Sequence, residues 1–196
     1  MQPSAVFLKS VVRLADLPDD DKPQIALVGR SNVGKSSLVN HLAGVKDIAR
    51  VSSAPGLTQA LNFFELNRAY YLVDLPGYGY ASKSKERREH FLALITDYLQ
   101  RARQLRLVFL VVDARVGMTD LDEKMLHFLQ RAGIEFVMVV NKSDKLSRGK
   151  SLALVRALSA KNPGVTCILH STSAKAGRGD LLAAIEKALK KAPAED

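Results

Sequence analysis

The chain has 196 residues, of which 47% are hydrophobic and 25% are charged, which suits one globular domain with a full core and excludes wholesale disorder. Its 29 Lys and Arg residues exceed its 20 Asp and Glu residues and leave a net charge of +9, which indicates a polyanionic partner, either nucleic acid or an anionic membrane surface. We favour nucleic acid, and a basic surface that only aids solubility is the alternative.

The first segment of the chain is the hardest to interpret. Apolar residues in 5–14 fit either a short strand or an amphipathic helical turn, and we treat residues 1–22 as an N-terminal extension that packs on the domain. This extension lacks the layout of a signal peptide, and no apolar stretch of the chain reaches the roughly 20 residues of a membrane span. We therefore expect a cytoplasmic monomer without a membrane partner. The one cysteine, Cys167, excludes an intrachain disulfide.

From residue 24 onward, strands and helices alternate. The predicted elements are strand 25–28, helix 35–42, strands 60–66 and 69–73, helix 86–103, strand 107–112, helix 120–131, strand 134–140, helix 151–160, strand 165–169 and helix 180–191. The short turn at Asn67 and Arg68 predicts an antiparallel hairpin. The pattern predicts an α/β fold with a mostly parallel six-stranded sheet, one antiparallel strand and helices on both faces. This domain would span residues 23–192, followed by a flexible tail at 193–196.

A phosphate-binding loop follows the first of these strands. Residues 29–36 read GRSNVGKS and fit the pattern G-x-x-x-x-G-K-[ST] between a strand and a helix. Its glycines let backbone N–H groups point at phosphate oxygens, and the helix N-terminus adds partial positive charge. Lys35 would reach the β- and γ-phosphates, and the Ser36 hydroxyl would ligate Mg²⁺. A glycine-rich turn without a ligand is the alternative. The predicted phosphate-binding residues are Gly29, Arg30, Ser31, Asn32, Val33, Gly34, Lys35, Ser36 and Ser37.

Two later loops indicate which base the site binds. The residues Asn141, Lys142, Ser143 and Asp144 follow a buried strand and resemble the N-K-x-D signature of the GTPase superfamily. The Asp144 carboxylate can accept two hydrogen bonds from guanine, whereas adenine offers no such pair of donors. The residues after the last strand, Thr172, Ser173, Ala174 and Lys175, resemble the S-A-K loop, in which a backbone N–H contacts the guanine O6. Either loop alone could be an ordinary surface turn.

Two further segments resemble the loops that sense the γ-phosphate. The residues Asp74, Leu75, Pro76 and Gly77 match D-x-x-G, in which Asp74 would hold Mg²⁺ through water and the Gly77 N–H would bond the γ-phosphate. A Pro-Gly turn is the alternative. Thr58, with its neighbours Gly56 and Leu57, stands where a superfamily Thr closes over the nucleotide and ligates Mg²⁺. Catalytic roles thus go to Lys35, Thr58 and Gly77, and Mg²⁺ ligation goes to Ser36, Thr58 and Asp74.

Along the chain these five elements occur in the order that is typical of a Ras-like P-loop GTPase. Such a GTPase has a three-layer sandwich fold. Residues 29–37 and 74–81, which read GRSNVGKSS and DLPGYGYA, resemble the EngB family of bacterial ribosome-assembly GTPases, as do residues 55–59 and 62–64. The resemblance covers about residues 20–190 and implies a GTP- and GDP-binding switch in assembly of the large ribosomal subunit, with that subunit or its rRNA as partner. A nucleotide-gated RNA or protein adaptor, and a GTPase of cell division, septation or tRNA modification, are the alternatives.

The chain departs from the pattern at two positions. Leu57 stands where we expect a basic residue, which puts a phosphate contact there in doubt. Asn141 stands where this family often carries Thr, and it restores the general superfamily pattern without weakening guanine binding.

Four features bear on the mechanism and on the partner. Tyr78 occupies the position of the glutamine that orients the attacking water in Ras-type enzymes. A phenol cannot provide the paired donor and acceptor of a carboxamide. We therefore predict that the chain alone hydrolyses GTP slowly and that a partner stimulates the reaction. Asn32 would either help to hold a K⁺ ion against the phosphates or simply cap the loop. The histidine that ends the last strand, His170, is predicted to be structural rather than catalytic. The residues Lys83, Lys85, Arg87 and Arg88, with Arg101, Arg103 and Arg106 further on, form either an RNA-binding surface or a solvated helix face.

Overall fold

The computed structural model describes residues 4–49, 60–79 and 85–191, with the side chains of residues 85–88 outside the described part. Strands and helices alternate along the chain. The strands are β1 (Ala5–Val11), β2 (Gln24–Gly29), β3 (Leu61–Leu66), β4 (Tyr70–Asp74), β5 (Leu105–Asp113), β6 (Phe136–Asn141) and β7 (Cys167–Leu169). The helices are α1 (Lys35–Ala43), α2 (Lys85–Arg101), α3 (Asp120–Arg131), α4 (Arg148–Lys161) and α5 (Arg178–Leu189).

The strands form one sheet in the order β1-β3-β4-β2-β5-β6-β7. Strands β4, β2, β5, β6 and β7 are mutually parallel, while β3 runs antiparallel to both β4 and β1. The mostly parallel α/β fold with one reversed strand is confirmed. The sheet has seven strands rather than the six expected, because the N-terminal segment pairs with β3 as an edge strand.

Strand β1 also settles the choice between strand and helix for the N-terminal segment. It pairs with β3 from Ala5 opposite Leu66 to Val11 opposite Leu61, with an irregularity between Phe7 and Lys9. That irregularity breaks the alternation of apolar residues, and Val11 is the one fully buried residue of this strand. An edge strand of this kind gives a weak sequence signal because little of it faces the core.

The predicted hairpin between β3 and β4 is confirmed. Asn67 and Arg68 have φ values of 53° and 57°, the left-handed conformation that both central residues of a type I′ turn require. Elsewhere the predicted ends shift by a few residues. Helix α4 begins at Arg148 instead of 151, because the Ser147 hydroxyl caps it by accepting a hydrogen bond from the Lys150 N–H at 3.4 Å.

Helices cover both faces of the sheet, and each face has its own apolar core. On β5, Val108, Leu110 and Val112 pack in the core beneath α2 and α3. The alternate residues of this strand, Leu107, Phe109 and Val111, pack in the core beneath α1 and α5. This alternation of buried side chains on both faces is the three-layer sandwich expected from the sequence. In the described residues, no helix has both the length and the apolar character to cross a lipid bilayer.

The register of the parallel strands determines where the candidate site lies. Strand β2 ends at Gly29, β4 at Asp74, β5 at Asp113 and β6 at Asn141. Asp113 lies opposite Asn141, and Gly29 lies opposite Val111, two residues before the end of β5. The carboxyl ends of four strands therefore meet at one edge, which is where α/β sheets bind ligands.

Candidate functional site

The loop between β2 and α1 curls at this edge of the sheet. Gly34 has a φ of 100° and Asn32 a φ of 61°, so both residues are left-handed. A Cβ atom on Gly34 would collide with the Asn141 side-chain nitrogen, and one on Gly29 would collide with the Val111 carbonyl oxygen. These positions require glycine because the loop packs directly against β5 and the last residue of β6.

Lys35 places its ammonium group inside this loop. The side chain is buried, and Nζ donates hydrogen bonds to the carbonyl oxygens of Gly29 at 3.2 Å and Arg30 at 3.3 Å. Burial lowers the pKa of Lys35, while the nearby Asp74 carboxylate acts to raise it. A buried ammonium whose acceptors are neutral carbonyls favours an anionic ligand such as a phosphate.

Asp74 and Ser36 provide oxygen atoms beside this ammonium. Ser36 Oγ donates to Asp74 Oδ2 at 2.7 Å, while Asp74 Oδ1 is the one buried side-chain oxygen of the described chain that lacks a hydrogen-bond partner. Burial raises the pKa of Asp74, and the charge of Lys35 and the Ser36 hydroxyl oppose that rise. An unpaired carboxylate oxygen next to a hydroxyl fits a Mg²⁺ ion or its bound water, since Mg²⁺ prefers oxygen ligands.

The D-x-x-G segment packs tightly on the phosphate-binding loop. Ser31 donates its backbone N–H to the Tyr78 carbonyl at 3.0 Å and its hydroxyl to the Gly77 carbonyl at 3.2 Å. A Cβ atom on Gly77 would lie 2.7 Å from Ser31 Cα, so a larger residue would separate the two loops. Leu75 and Pro76 are buried beneath this contact. A shift in the position of either loop would therefore disturb the hydrogen bonds that hold the other.

The side chain of Tyr78 reaches α3, where it shares a partner with Arg30 of the phosphate-binding loop. Its hydroxyl donates to Asp122 Oδ1 at 2.8 Å, and Arg30 Nε donates to Asp122 Oδ2 at 3.0 Å. Asp122 is fully buried and also accepts hydrogen bonds from the backbone N–H and hydroxyl of Thr119 at the start of α3. Burial raises the pKa of Tyr78, and the neighbouring Asp122 raises it further, so Tyr78 is a neutral phenol.

The last residue of β6 and the first residue after it are tied by their side chains to the phosphate-binding loop. Asn141 Nδ2 donates to the Val33 carbonyl at 2.9 Å, and Lys142 Nζ donates to the Asn32 carbonyl at 2.6 Å. Lys142 Nζ also donates to Asp113 Oδ2 at 2.9 Å. Burial acts to raise the pKa of Asp113, but hydrogen bonds from Arg115 and Lys142 hold it well below its usual range. Asp113 thus stays ionised and anchors Lys142.

Asp144 lies beside the loop after β7. The Ser171 hydroxyl donates to Asp144 Oδ1 at 2.6 Å, and this bond is the main reason that the pKa of Asp144 falls to about 2. Asp144 is therefore an anion at neutral pH, able to accept further hydrogen bonds. Ser143 holds the two loops together by donating its N–H and hydroxyl to the His170 carbonyl, at 3.1 and 2.9 Å. The predicted residues Thr172, Ser173, Ala174 and Lys175 follow directly as an exposed turn.

Two histidines continue this network behind the loops. His170 is fully buried, with Nδ1 2.8 Å from Asn141 Oδ1 and Nε2 2.8 Å from His41 Nδ1. Burial, together with the adjacent His41, lowers the pKa of His170 to about 4. Burial also lowers the pKa of His41, with additional contributions from Arg178 and Lys175. Both rings are neutral at pH 7.

The structure brings together all predicted site residues that it describes. Gly56, Leu57 and Thr58 lie outside the described residues, and Mg²⁺ ligation by Ser36, Thr58 and Asp74 stays a prediction. Sequence reasoning missed Asp113 and Ser171, although Asp113 ends β5 and Ser171 lies two residues after β7, close to the strand ends that identified the other site residues. It also missed Asp122: the spacing of Thr119 and Asp122 indicates a helix cap, but nothing local indicates the distant partners Arg30 and Tyr78.

Comparison with known proteins gives a family model and sequence relatives that match most of the chain. The family described as 50S ribosome-binding GTPase matches residues 24–142. A "Probable GTP-binding protein EngB" from Roseobacter denitrificans is 43% identical over 176 residues, which cover 88% of this chain and 82% of the relative. A protein of the same name from Pelotomaculum thermopropionicum is 42% identical over 188 residues, covering 93% of both chains.

A solved structure shares the fold. The crystal structure of a probable GTP-binding protein engB has a TM-score of 0.70 with 24% sequence identity. The match covers 85% of this chain and 98% of that one. At this identity the likeness supports the fold, while the family membership comes from the sequence relatives.

We expect the nucleotide-free protein to lose stability as the pH falls, with His170 as one cause. The folded pKa of His170 is about 4, whereas an unfolded histidine titrates near about 6.5. As the pH falls, the unfolded chain therefore binds the proton at a higher pH than the folded chain does. Between the two pKa values the free energy of unfolding decreases by on the order of 1–3 kcal/mol. Urea unfolding between about pH 7.5 and about pH 4.5 tests this. The variant His170→Phe should show a shallower decline, and equal slopes in both proteins would contradict the assignment.

Proposed function

Because this chain belongs to the EngB family of GTP-binding proteins, we propose that it is a slow GTPase switch in assembly of the large ribosomal subunit. The observation that carries the nucleotide assignment is the double link between the loop that would bind guanine and the loop that would bind phosphate. Asn141 and Lys142 of the former donate to Val33 and Asn32 of the latter. A ligand that spans both loops, with a base at one end and phosphates at the other, fits this arrangement.

Guanine would be recognised by Asp144. Its low pKa keeps it ionised, so it can accept hydrogen bonds from both the ring N–H and the exocyclic amine of guanine. The backbone of the turn at 172–175 would contact O6 of the base. The stem of Lys142 is oriented by Asn32 and Asp113 and would pack on the ring. Adenine would leave the Asp144 charge unpaired, which is the basis of discrimination.

The phosphates would lie in the loop at 29–36. Its backbone amides and the Lys35 ammonium would bind the β- and γ-phosphates, which replace the carbonyl acceptors that Lys35 now uses. Ser36 and Asp74 would hold Mg²⁺, with Thr58 as the third protein ligand. The bound Mg²⁺ would neutralise charge on the phosphate oxygens. The Gly77 N–H would bond the γ-phosphate.

Hydrolysis is proposed to be slow because Tyr78 does not replace the missing glutamine. The hydroxyl of Tyr78 is committed to Asp122, and its ring is buried against α3. No group at this position would orient a water molecule, so a partner would have to complete the site. We propose that the GTP-binding domain comprises residues 23–192, with the extension at 1–22 joined to it through β1.

Nucleotide specificity tests the base assignment. Calorimetry should show that GDP binds at least about 10³-fold more tightly than ADP. The variant Asp144→Asn should weaken GDP binding by about 100-fold or more, because a carboxamide cannot accept both guanine donors. It should favour xanthosine diphosphate, which carries a carbonyl in place of the exocyclic amine. The exposed Asp120→Asn on α3 is the charge-matched control. Equal affinity for GDP and ADP would refute the assignment.

The rate of hydrolysis is a second test. In single-turnover assays with the purified chain, we expect a rate of about 10⁻³ per second or less. A fast rate without any partner would contradict the proposed role of Tyr78. Running the assay in KCl and in NaCl also decides the role of Asn32. A faster rate in KCl that disappears in Asn32→Gly would assign K⁺ binding to this residue, and equal rates would leave it a loop-capping role.

The ribosomal partner is a third test. Lys83 lies outside the described residues, as do the side chains of Lys85, Arg87 and Arg88, so their contact with RNA rests on sequence and net charge. We expect the chain loaded with a non-hydrolysable GTP analogue to sediment with large-subunit particles more than the GDP form does. Replacing these four residues with Ala should lower the fraction of the chain that sediments with the particles and should make binding less sensitive to salt.

The controls separate the alternatives. A variant with four other exposed cations replaced by Ala matches the change in charge, at Lys150, Arg156, Lys187 and Lys190. If this control weakens binding equally, the specific surface is refuted. If Lys35→Ala loses nucleotide but binds the particles normally, the chain is an adaptor whose hydrolysis is incidental.

A further inference from the structure

A line of hydrogen bonds runs from the phosphate-binding loop to the end of α1. It starts at the Val33 carbonyl, passes through the Asn141 carboxamide and the His170 ring, and reaches the His41 ring. Arg178 at the start of α5 then fixes His41 by donating to its carbonyl at 2.7 Å. Asn141 and His170 are both buried, so water does not substitute for these partners.

The direction of each bond in this line is determined. Asn141 donates through Nδ2 to Val33, so its Oδ1 is the atom that accepts from His170. His170 must therefore carry its proton on Nδ1, which leaves Nε2 to accept from His41 Nδ1. If the carboxamide of Asn141 rotated by half a turn, its oxygen would face the Val33 carbonyl and its NH₂ would face the His170 donor. A donor at position 170 thus selects one orientation of Asn141.

We propose that His170 is a positioning residue for guanine-nucleotide binding, which acts by holding Asn141 in the orientation that clamps the phosphate-binding loop to the guanine-binding loop. This inference rests on the nucleotide site proposed above. It goes beyond that proposal because it assigns to a buried histidine outside the proposed ligand contacts a defined effect on the affinity for guanine nucleotide.

The surroundings keep His170 in the form that this role requires. His41 faces its Nε2, and the cations Arg178 and Lys175 lie near His41. If both rings carried a second proton and were charged, His170 Nε2–H and His41 Nδ1–H would face each other as two donors at 2.8 Å. The neutral pair is therefore favoured at neutral pH, with His170 donating to Asn141. This charge state follows from burial and from the neighbouring cations.

Three substitutions at position 170 separate positioning from packing. His170→Asn places an amide N–H near the position of Nδ1 and keeps the donor toward Asn141. His170→Gln places its amide near Nε2 and keeps only the partner of His41. His170→Phe keeps the ring volume and removes both polar contacts. Asn is the smallest of the three and leaves a cavity, so packing alone predicts the lowest thermal stability for His170→Asn.

The experiment measures GDP affinity by calorimetry and the thermal midpoint of the nucleotide-free full-length chain. We expect GDP to bind about tenfold more weakly to His170→Phe and His170→Gln, because Asn141 loses a buried partner, and to bind His170→Asn within about threefold of the wild type. In an Asn141→Ala background, His170→Phe should add less than about twofold. The exposed His127→Phe is the control and should leave affinity unchanged.

The outcomes are distinct from those that test the nucleotide site itself. If affinity follows thermal stability, so that His170→Phe binds best and His170→Asn worst, His170 has a packing role and the inference is overturned. If all variants bind GDP like the wild type, the inference is also overturned while the guanine site stands. If the wild type binds no guanine nucleotide, both the inference and the proposed function are refuted.

Discussion

The parallel register of four strands is the constraint on which the candidate site depends. Strands β2, β4, β5 and β6 end at the same edge of the sheet, and each end releases a loop that carries polar residues. Because β2 lies between β4 and β5, the phosphate-binding loop stands between the D-x-x-G segment and the segment 141–144 at the end of β6. It contacts the former through Ser31 and the latter through Val33. The two apolar cores, one on each face, hold this order of strands and therefore hold the loops together.

Two buried charged groups at the same edge of the sheet lack part of the partners that a buried charge requires. Lys35 is buried with neutral acceptors, and Asp74 keeps one oxygen without a hydrogen bond. Each such group costs on the order of 1–3 kcal/mol. An anionic ligand with its cation would relieve both costs, so binding is coupled to stability. Ligand at about 100 times its dissociation constant adds about 2.7 kcal/mol to the free energy of unfolding.

Much of the fold and of the site could be predicted from the sequence, and the failures have physical causes. Buried strands such as β5 read clearly because side chains on both faces are apolar. Strand β1 did not, since it is an edge strand with an irregularity between Phe7 and Lys9. Site residues in contiguous motifs were predictable because the chemistry of each motif requires fixed neighbours. The partners of Asp122 and His170 were not, because packing brings them from segments that are far apart in the chain.

Asp122 shows how such a long-range partner can connect the loops to α3. It receives hydrogen bonds from Arg30 of the phosphate-binding loop and from Tyr78, which follows Gly77, and it also forms the capping box of α3. Because Asp122 is fully buried, leaving it without one of these partners would cost on the order of 1–3 kcal/mol. A movement of Gly77 that carried Tyr78 with it would have to break the bond to Asp122, so this carboxylate opposes such a movement. One buried group therefore couples the positions of two loops to the start of α3.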